Sequence, residues 1–247
     1  MDELRTKCPW DKKQTNQTLR KLTIEETYEL ADAILQDDND GIRKELGDLM
    51  LHVTFYAKIG SEKELFDMGD VLEGINNKLV YRHPHVFGDV NVTRGAREVE
   101  ENWEKLKMTE HTEYKPVLSG VPVSLPATIK ANRIQEKVRG VGFDWNSPEQ
   151  IWDKVTEELD ELKQAIASGR KVNIESELGD LFFSLINAAR LYEIDPESAL
   201  EKTNRRFMKR FNYLEQKTLA KNLSLHDLTL DEMNEIWEEA KQFDKPL

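Results

Sequence analysis

Only one cysteine, Cys8, occurs in 247 residues, so no disulfide can form within the chain and a reducing compartment fits. Glycine and proline are scarce, at 12 and 8 residues, and three of the prolines fall in one short stretch, 111–127. No apolar run approaches the roughly 18–20 residues needed to span a bilayer. The opening MDELRTKCPWD has no signal-peptide core, and a cytoplasmic protein is expected. Alternation of apolar and polar residues, the mark of a half-buried strand, is also missing. Lys and Arg number 35 against 47 Asp and Glu, a net charge of −12. That balance argues against a basic face for nucleic acid, and neither nucleic acid nor a membrane is an expected partner. It also means that a polyphosphate ligand needs a metal or a local cationic patch to approach.

Apolar residues at helical spacing are abundant. Ile151, Val155, Leu159, Leu162 and Ile166 form one stripe, and Leu178, Leu181, Phe182, Leu185, Ile186 and Ala189 another. Thr23 with Glu26, and Thr229 with Glu232, have the spacing of capping boxes. Ser147-Pro148 and Asp195-Pro196 place a cap before a proline suited to a first helical position. The fold class expected is all-α. The Pro-rich stretch reads as a linker, giving an N-terminal helical domain at 1–110, a linker at 111–127 and a C-terminal helical domain at 128–247. Each half is thin for a core of its own, so pairing of halves or chains is expected to bury the stripes.

The two halves share an acidic frame. Glu25, Glu26, Glu29, Glu45 and Asp48 recur 132 residues later as Glu157, Glu158, Glu161, Glu177 and Asp180. If each segment is an antiparallel helical hairpin, turning near positions 37 and 169, Glu29 meets Glu45 and Glu26 meets Asp48. In the second copy Glu161 meets Glu177 and Glu158 meets Asp180. Four facing carboxylates repel one another unless neutralised. A hard divalent cation does this, and Mg²⁺ prefers oxygen ligands and keeps sites for phosphate. Gly47 and Gly179 sit between the last two acids of each copy, where a helical glycine costs about 1 kcal/mol, which suggests close approach of another group. The plainer reading is a solvated acidic face with ion pairs to Lys154, Lys163 or Arg170; the repeated spacing argues against it. A di-iron centre would need Glu-x-x-His, and none of the five histidines has a Glu three residues before it.

Cations and tryptophans repeat as well. INNKLVYRH at 75–83 aligns with TNRRFMKRF at 203–211, matching Lys78 to Arg206 and Arg82 to Arg210. Spaced four apart on one helix face, these cations suit phosphate oxygens, or simply the excess acid. Each half then carries Trp-x-x-x-Lys, Trp103 with Lys107 and Trp237 with Lys241. Such a tryptophan covers a base or anchors a core. Trp10 of CPWD and Trp145 of GFDW are expected to pack beneath the hairpins, and RHPHVFGD (82–89) reads as a turn closing the first half.

EExxE followed by ELGD, with CPWD upstream and RHPHVFGD downstream, resembles the MazG family of nucleoside triphosphate pyrophosphohydrolases, within the all-α NTP pyrophosphatase superfamily. The resemblance covers nearly the whole chain in tandem form. It implies homodimers of helical bundles, ATP and other nucleoside triphosphates as substrates, a house-cleaning role, and Mg²⁺ as cofactor with Mn²⁺ as a substitute. It implies that the C-terminal copy carries the main site. There Glu158, Glu161, Glu177 and Asp180 would hold the metal, and Glu157 would orient water or substrate. Lys154, Arg206, Arg210, Trp237 and Lys241 would contact nucleotide. Arg206 departs from the lysine expected there, a planar fork in place of a point charge. Glu25, Glu26, Glu29, Glu45, Asp48, Lys78, Arg82, Trp103 and Lys107 would form a second site. The chain starts closer to CPWD than is typical, which implies a missing leading helix or a longer precursor. Narrower dUTP or phosphoribosyl-ATP hydrolases, and a non-catalytic Mg²⁺-binding dimer, are the rival readings.

Overall fold

The computed structural model describes all residues except 94, 96, 97, 100, 101, 104, 105, 107–115, 146 and 244–247. Among the described residues there are helices and no strand. The chain divides into two compact units, Met1–Glu113 and Tyr114–Leu247. Lys107 and the first five residues of the Pro-rich stretch lie outside the described residues; from Val117 that stretch forms a 3₁₀ turn, Val117–Gly120, and it leads into a helix beginning at Ala127.

The first unit contains α1 (Asp2–Lys7), α2 (Asn16–Leu35), α3 (Asn39–Ser61), α4 (Met68–Arg82) and α5 (Pro84–Phe87). Its core is Leu19, Phe55 and Ile59, with Met1, Leu22 and Tyr56 packed on them. Arg5 clamps Glu62, and Lys58 reaches Asp2 at 2.7 Å, so α1 is tied to the end of α3. Thr23 does not open a helix: it lies inside α2, where its hydroxyl donates to Leu19 O at 3.0 Å and meets the Tyr56 hydroxyl at 2.7 Å. The true cap is Thr15, which accepts from Thr18 N at 3.2 Å while Thr18 Oγ1 accepts from Thr15 N at 2.9 Å. A hydroxyl closes this box where the usual signature has Glu or Gln, so the pattern pointed too far along.

The second unit contains α6 (Ala127–Arg139), α7 (Ile151–Ser168), α8 (Lys171–Leu191), α9 (Pro196–Ala220) and α10 (Leu230–Lys241). Asp195 caps α9 at 2.7 Å from Ser198 N, and Thr229 with Glu232 caps α10. Ser147 precedes only a 3₁₀ turn, Pro148–Gln150, and makes no side-chain cap bond. Ile151, Val155 and Ala188 form the core between α7 and α8, joined by Leu181 and Leu191. The rest of the predicted stripes is less covered. Leu159, Ile166, Leu178, Phe182 and Leu185 are exposed.

Both acidic segments fold as hairpins, α2 with α3 and α7 with α8. Their turns fall at the same point of the repeat: Asp37 and Gly169 both adopt left-handed backbone, φ 53° and 69°. Gly169 does this without a Cβ clash; Asp37 is among the residue types that tolerate it.

Candidate active site

Each hairpin gathers its acids across the two helices. In the second copy, one carboxylate oxygen from each of Glu158, Glu177 and Asp180 lies within 4.8 Å of the others. Glu158 is buried, Glu177 half-buried and Asp180 exposed, so the cluster opens from the bundle interior to solvent. Glu161 flanks it: partial desolvation, then the charges of Glu158, Glu177 and Glu157, push its carboxyl above the ordinary glutamate range. In the first copy the converging set is Glu26, Glu29 and Glu45. Burial, followed by Glu29, Asp48 and Glu45, raises Glu26 in the same way. The tightest sets are therefore triads, with Asp48 and Glu161 felt through their charge at the edge. Glu25 and Glu157 are exposed.

Lys154 answers the second cluster from within α7. Its ammonium lies 2.7 Å from Glu158 Oε1 and 3.1 Å from Glu157 Oε1. Those two carboxylates, Glu158 first, hold the lysine pKa well above its usual value. The donor set suits a hard divalent cation: converging carboxylates, no sulfur, no imidazole, and one rim open to water. Gly47 and Gly179 face open space: beyond their chain neighbours and their own helix backbone, no described atom lies within 4 Å of where a Cβ would stand. Among the described residues, no other helix makes the close approach that their placement suggested.

Lys154 and Glu157 also border a cavity of about 460 Å³, lined in addition by Asp144, Trp145, Gln150 and Asp153. Arg190 grips Asp144 with two guanidinium nitrogens and Asn187 with two, fixing the cavity wall to α8. Sequence reading missed this wall. Trp145 does not pack under the hairpin; it is 38% exposed and lines the cavity, and Trp10 is 55% exposed. The signal was in GFDW itself, since an aspartate beside an aromatic ring is poor core material.

The remaining sequence candidates occupy places of their own. Arg210 stacks over Trp237 at 5.7 Å, and Phe207 meets the same indole at 5.0 Å. Arg206 donates to Thr203 Oγ1 at 2.9 Å, and Lys241 pairs with Glu238. The first unit repeats the stacking: buried Arg82 lies 5.2 Å from the Trp103 ring, and His83 meets that ring edge-on at 4.8 Å. Lys78 is exposed. RHPHVFGD forms the end of α4 and the single turn α5.

A family model described as the MazG nucleotide pyrophosphohydrolase domain matches twice, at residues 14–87 and 146–214, each match spanning one acidic hairpin. The chain belongs to the MazG family. It is an enzyme of the nucleoside triphosphate pyrophosphohydrolase class. This MazG chain is 41% identical over 241 residues to the nucleoside triphosphate pyrophosphohydrolase of Escherichia coli K12, covering 95% of this chain and 90% of that one. It is 41% identical over 248 residues to the nucleoside triphosphate pyrophosphohydrolase/pyrophosphatase MazG of Thermotoga maritima, covering 99% and 94%. It is 43% identical over 240 residues to the uncharacterized protein YabN of Bacillus subtilis, covering 96% of this chain and 49% of that protein. Among the described residues of this MazG chain, no helix is long and apolar enough to cross a membrane.

Proposed function

We propose that the C-terminal copy hydrolyses nucleoside and deoxynucleoside triphosphates, ATP among them, to the monophosphate and pyrophosphate, in a house-cleaning role in the cytoplasm. The observation that carries this reading is the convergence of Glu158, Glu177 and Asp180 beside a cavity that shares Lys154 with them. Glu158, Glu161, Glu177 and Asp180 would hold Mg²⁺, or Mn²⁺ in its place. A divalent cation there supplies Lewis acidity for phosphate oxygens and for water. Glu157 would orient water toward the α–β linkage, and a carboxylate outside the metal's ligand set would accept the proton released in attack. Lys154, Arg206, Arg210 and Lys241 offset the charge of the triphosphate, with Trp237 against the nucleoside.

The protein acts as a homodimer on this reading. Leu46, Met50 and Leu72 in the first unit, and Phe182, Phe207 and Met208 in the second, are each more than half exposed. Large apolar side chains exposed along a helix are a common mark of a surface that a partner covers. A second copy covers these faces, and sedimentation analysis tests it.

The deciding experiment is incubation with each common NTP and dNTP, with and without Mg²⁺, and separation of products by ion exchange. Monophosphate plus pyrophosphate is expected. Diphosphate plus phosphate means the wrong bond, and bound nucleotide without product favours a binding module. Glu158→Gln and Asp180→Asn should keep the helices and lose turnover; a retained rate refutes the ligand assignment.

A further inference from the structure

The turn that leads from α6 toward α7 is anchored at both ends. Gly142 takes left-handed backbone, φ 88°, which glycine adopts without a Cβ clash. Gly142 N donates to Arg139 O at 2.9 Å and Phe143 N to Val138 O at 3.0 Å, so the turn is tied to the end of α6. Asp144 follows. Its carboxylate accepts from two guanidinium nitrogens of Arg190 on α8, one at 3.2 Å and the other closer. Its Oδ1 also accepts from the backbone N–H of Trp145 at 3.0 Å. One carboxylate therefore ties Trp145 to a helix residue 46 positions beyond Asp144. The Arg190 side chain is 7% exposed and that of Asp144 22%. Arg190 further donates to Asn187 Oδ1 at 3.0 and 2.8 Å, which leaves its planar fork little freedom.

The first copy uses the matching positions otherwise. Counted back by the 132-residue repeat, Arg190 falls on Lys58, which pairs with Asp2 on α1, and Asn187 falls on Phe55 of the core. The acidic frame is common to both hairpins, whereas this clamp stands in the copy whose cavity borders Lys154 and Glu157. Gln150, Asp153, Lys154 and Glu157 line that cavity from the 3₁₀ turn and α7; Asp144 and Trp145 line it from the clamped turn. Trp145 is its one aromatic lining residue. A ligand with an anionic end and a flat ring system has a partner for each there, Lys154 for the charge and the indole for the ring. Pairing with Arg190 also offsets the charge of Asp144, which would otherwise repel a triphosphate.

We infer that Asp144 and Arg190 are positioning residues for the nucleotide: they hold Trp145 as a wall beside Lys154, against which the nucleoside end of the substrate is placed. Both act through Trp145, whose indole is an aromatic surface for the nucleoside additional to Trp237. Asn187 serves the same end at one remove, by fixing Arg190. The inference rests on the reading of the second hairpin as the nucleotide site, and adds to it the residues that shape the side of the cavity facing α7.

The test is a double-mutant cycle on the full chain in Mg²⁺, with steady-state kinetics on the best substrate of the NTP and dNTP panel. Trp145→Ala and Asp144→Ala should each lower kcat/KM by about tenfold or more, mainly by raising KM. The double variant should be no worse than Trp145→Ala alone, because Asp144 acts through the indole. Melting curves taken alongside separate this from loss of fold: Trp145 is 38% exposed, and Trp145→Ala should melt close to the wild type. If Asp144→Ala does not fold, Asp144→Asn takes its place in the cycle; it loses the ion pair and keeps an oxygen for the Trp145 N–H. If the wild type binds nucleotide without turnover, the hydrolytic reading fails and the same cycle is read in dissociation constants. The inference is overturned if Trp145→Ala matches the wild type, if the two losses multiply in the double variant, or if the wild type neither binds nor turns over nucleotide.

Discussion

Replacing Lys154 with methionine keeps the stem and removes the charge that faces Glu158 and Glu157. Glu158 has a side chain only 8% exposed and Lys154 one 36% exposed. Breaking a fully buried pair costs about 3–5 kcal/mol, and an exposed pair is worth about 0–1 kcal/mol. With one partner buried and the other a third exposed, the loss should be about 1–2 kcal/mol in metal-free protein. That corresponds to a melting shift of roughly 3–8 °C for a unit of this size. The raised lysine pKa fixes the pH window: its contribution is complete below the usual lysine value and fades only as pH rises through the higher folded one, so neutral pH shows all of it. A divalent cation in the cluster would supply the missing charge, so saturating Mg²⁺ should raise the variant's melting temperature by more than it raises the wild type's. Circular dichroism melts in EDTA and in Mg²⁺ measure both numbers. Equal stability in EDTA, or equal Mg²⁺ shifts, would refute the idea that lysine and cation compete for Glu158.

Gly179→Ala should raise helix stability by up to about 1 kcal/mol, since a Cβ there meets nothing within 4 Å. If the gap exists for substrate or a second copy, turnover or dimerisation falls despite the higher melting temperature; unchanged behaviour in both assays removes that role. Arg5 holds the Glu62 carboxyl below its ordinary range, so their pair stabilises the first unit above the unfolded glutamate pKa and is lost as pH falls through the lower folded value. Acid titration of stability should therefore bring wild type and Glu62→Gln together as pH drops below about 4.3; parallel curves would contradict it. Leu19→Ala, at a residue with no exposure, should cost about 2–5 kcal/mol in the first unit's core, measured by urea denaturation.

The hairpins were legible because their signals are local and doubled. A repeat of 132 residues fixes the turn at Asp37 and Gly169, and helical spacing then brings carboxylates to facing levels. Counting levels did not show how each four would divide. Levels place Glu158 opposite Asp180 and Glu161 opposite Glu177, but helical phase turns Glu161 toward the rim and draws Glu177 in with Glu158 and Asp180. The cavity wall was harder still. Asp144 and Arg190 stand 46 residues apart and neither belongs to a periodic pattern, so only the folded chain pairs them. Trp145 was misplaced for a related reason: tryptophan is a core residue by composition, yet this one borders charged neighbours at a cavity.

The difference between the copies is also in the repeat, at Leu22 and Lys154, and it separates two tasks that one frame can do. Lys154 neutralises the buried Glu158 from its own helix and borders the cavity, so a cation taken up at Glu158 would free it for an anionic ligand. A leucine at the same level strengthens the core and has no charge to release. In the first copy the buried glutamate is Glu45 and its lysine is Lys44, both on α3, so the two hairpins neutralise their buried acids from different arms. The acidic motif alone, identical in both, does not distinguish them; the residue one turn before its second glutamate does, Leu22 before Glu26 and Lys154 before Glu158.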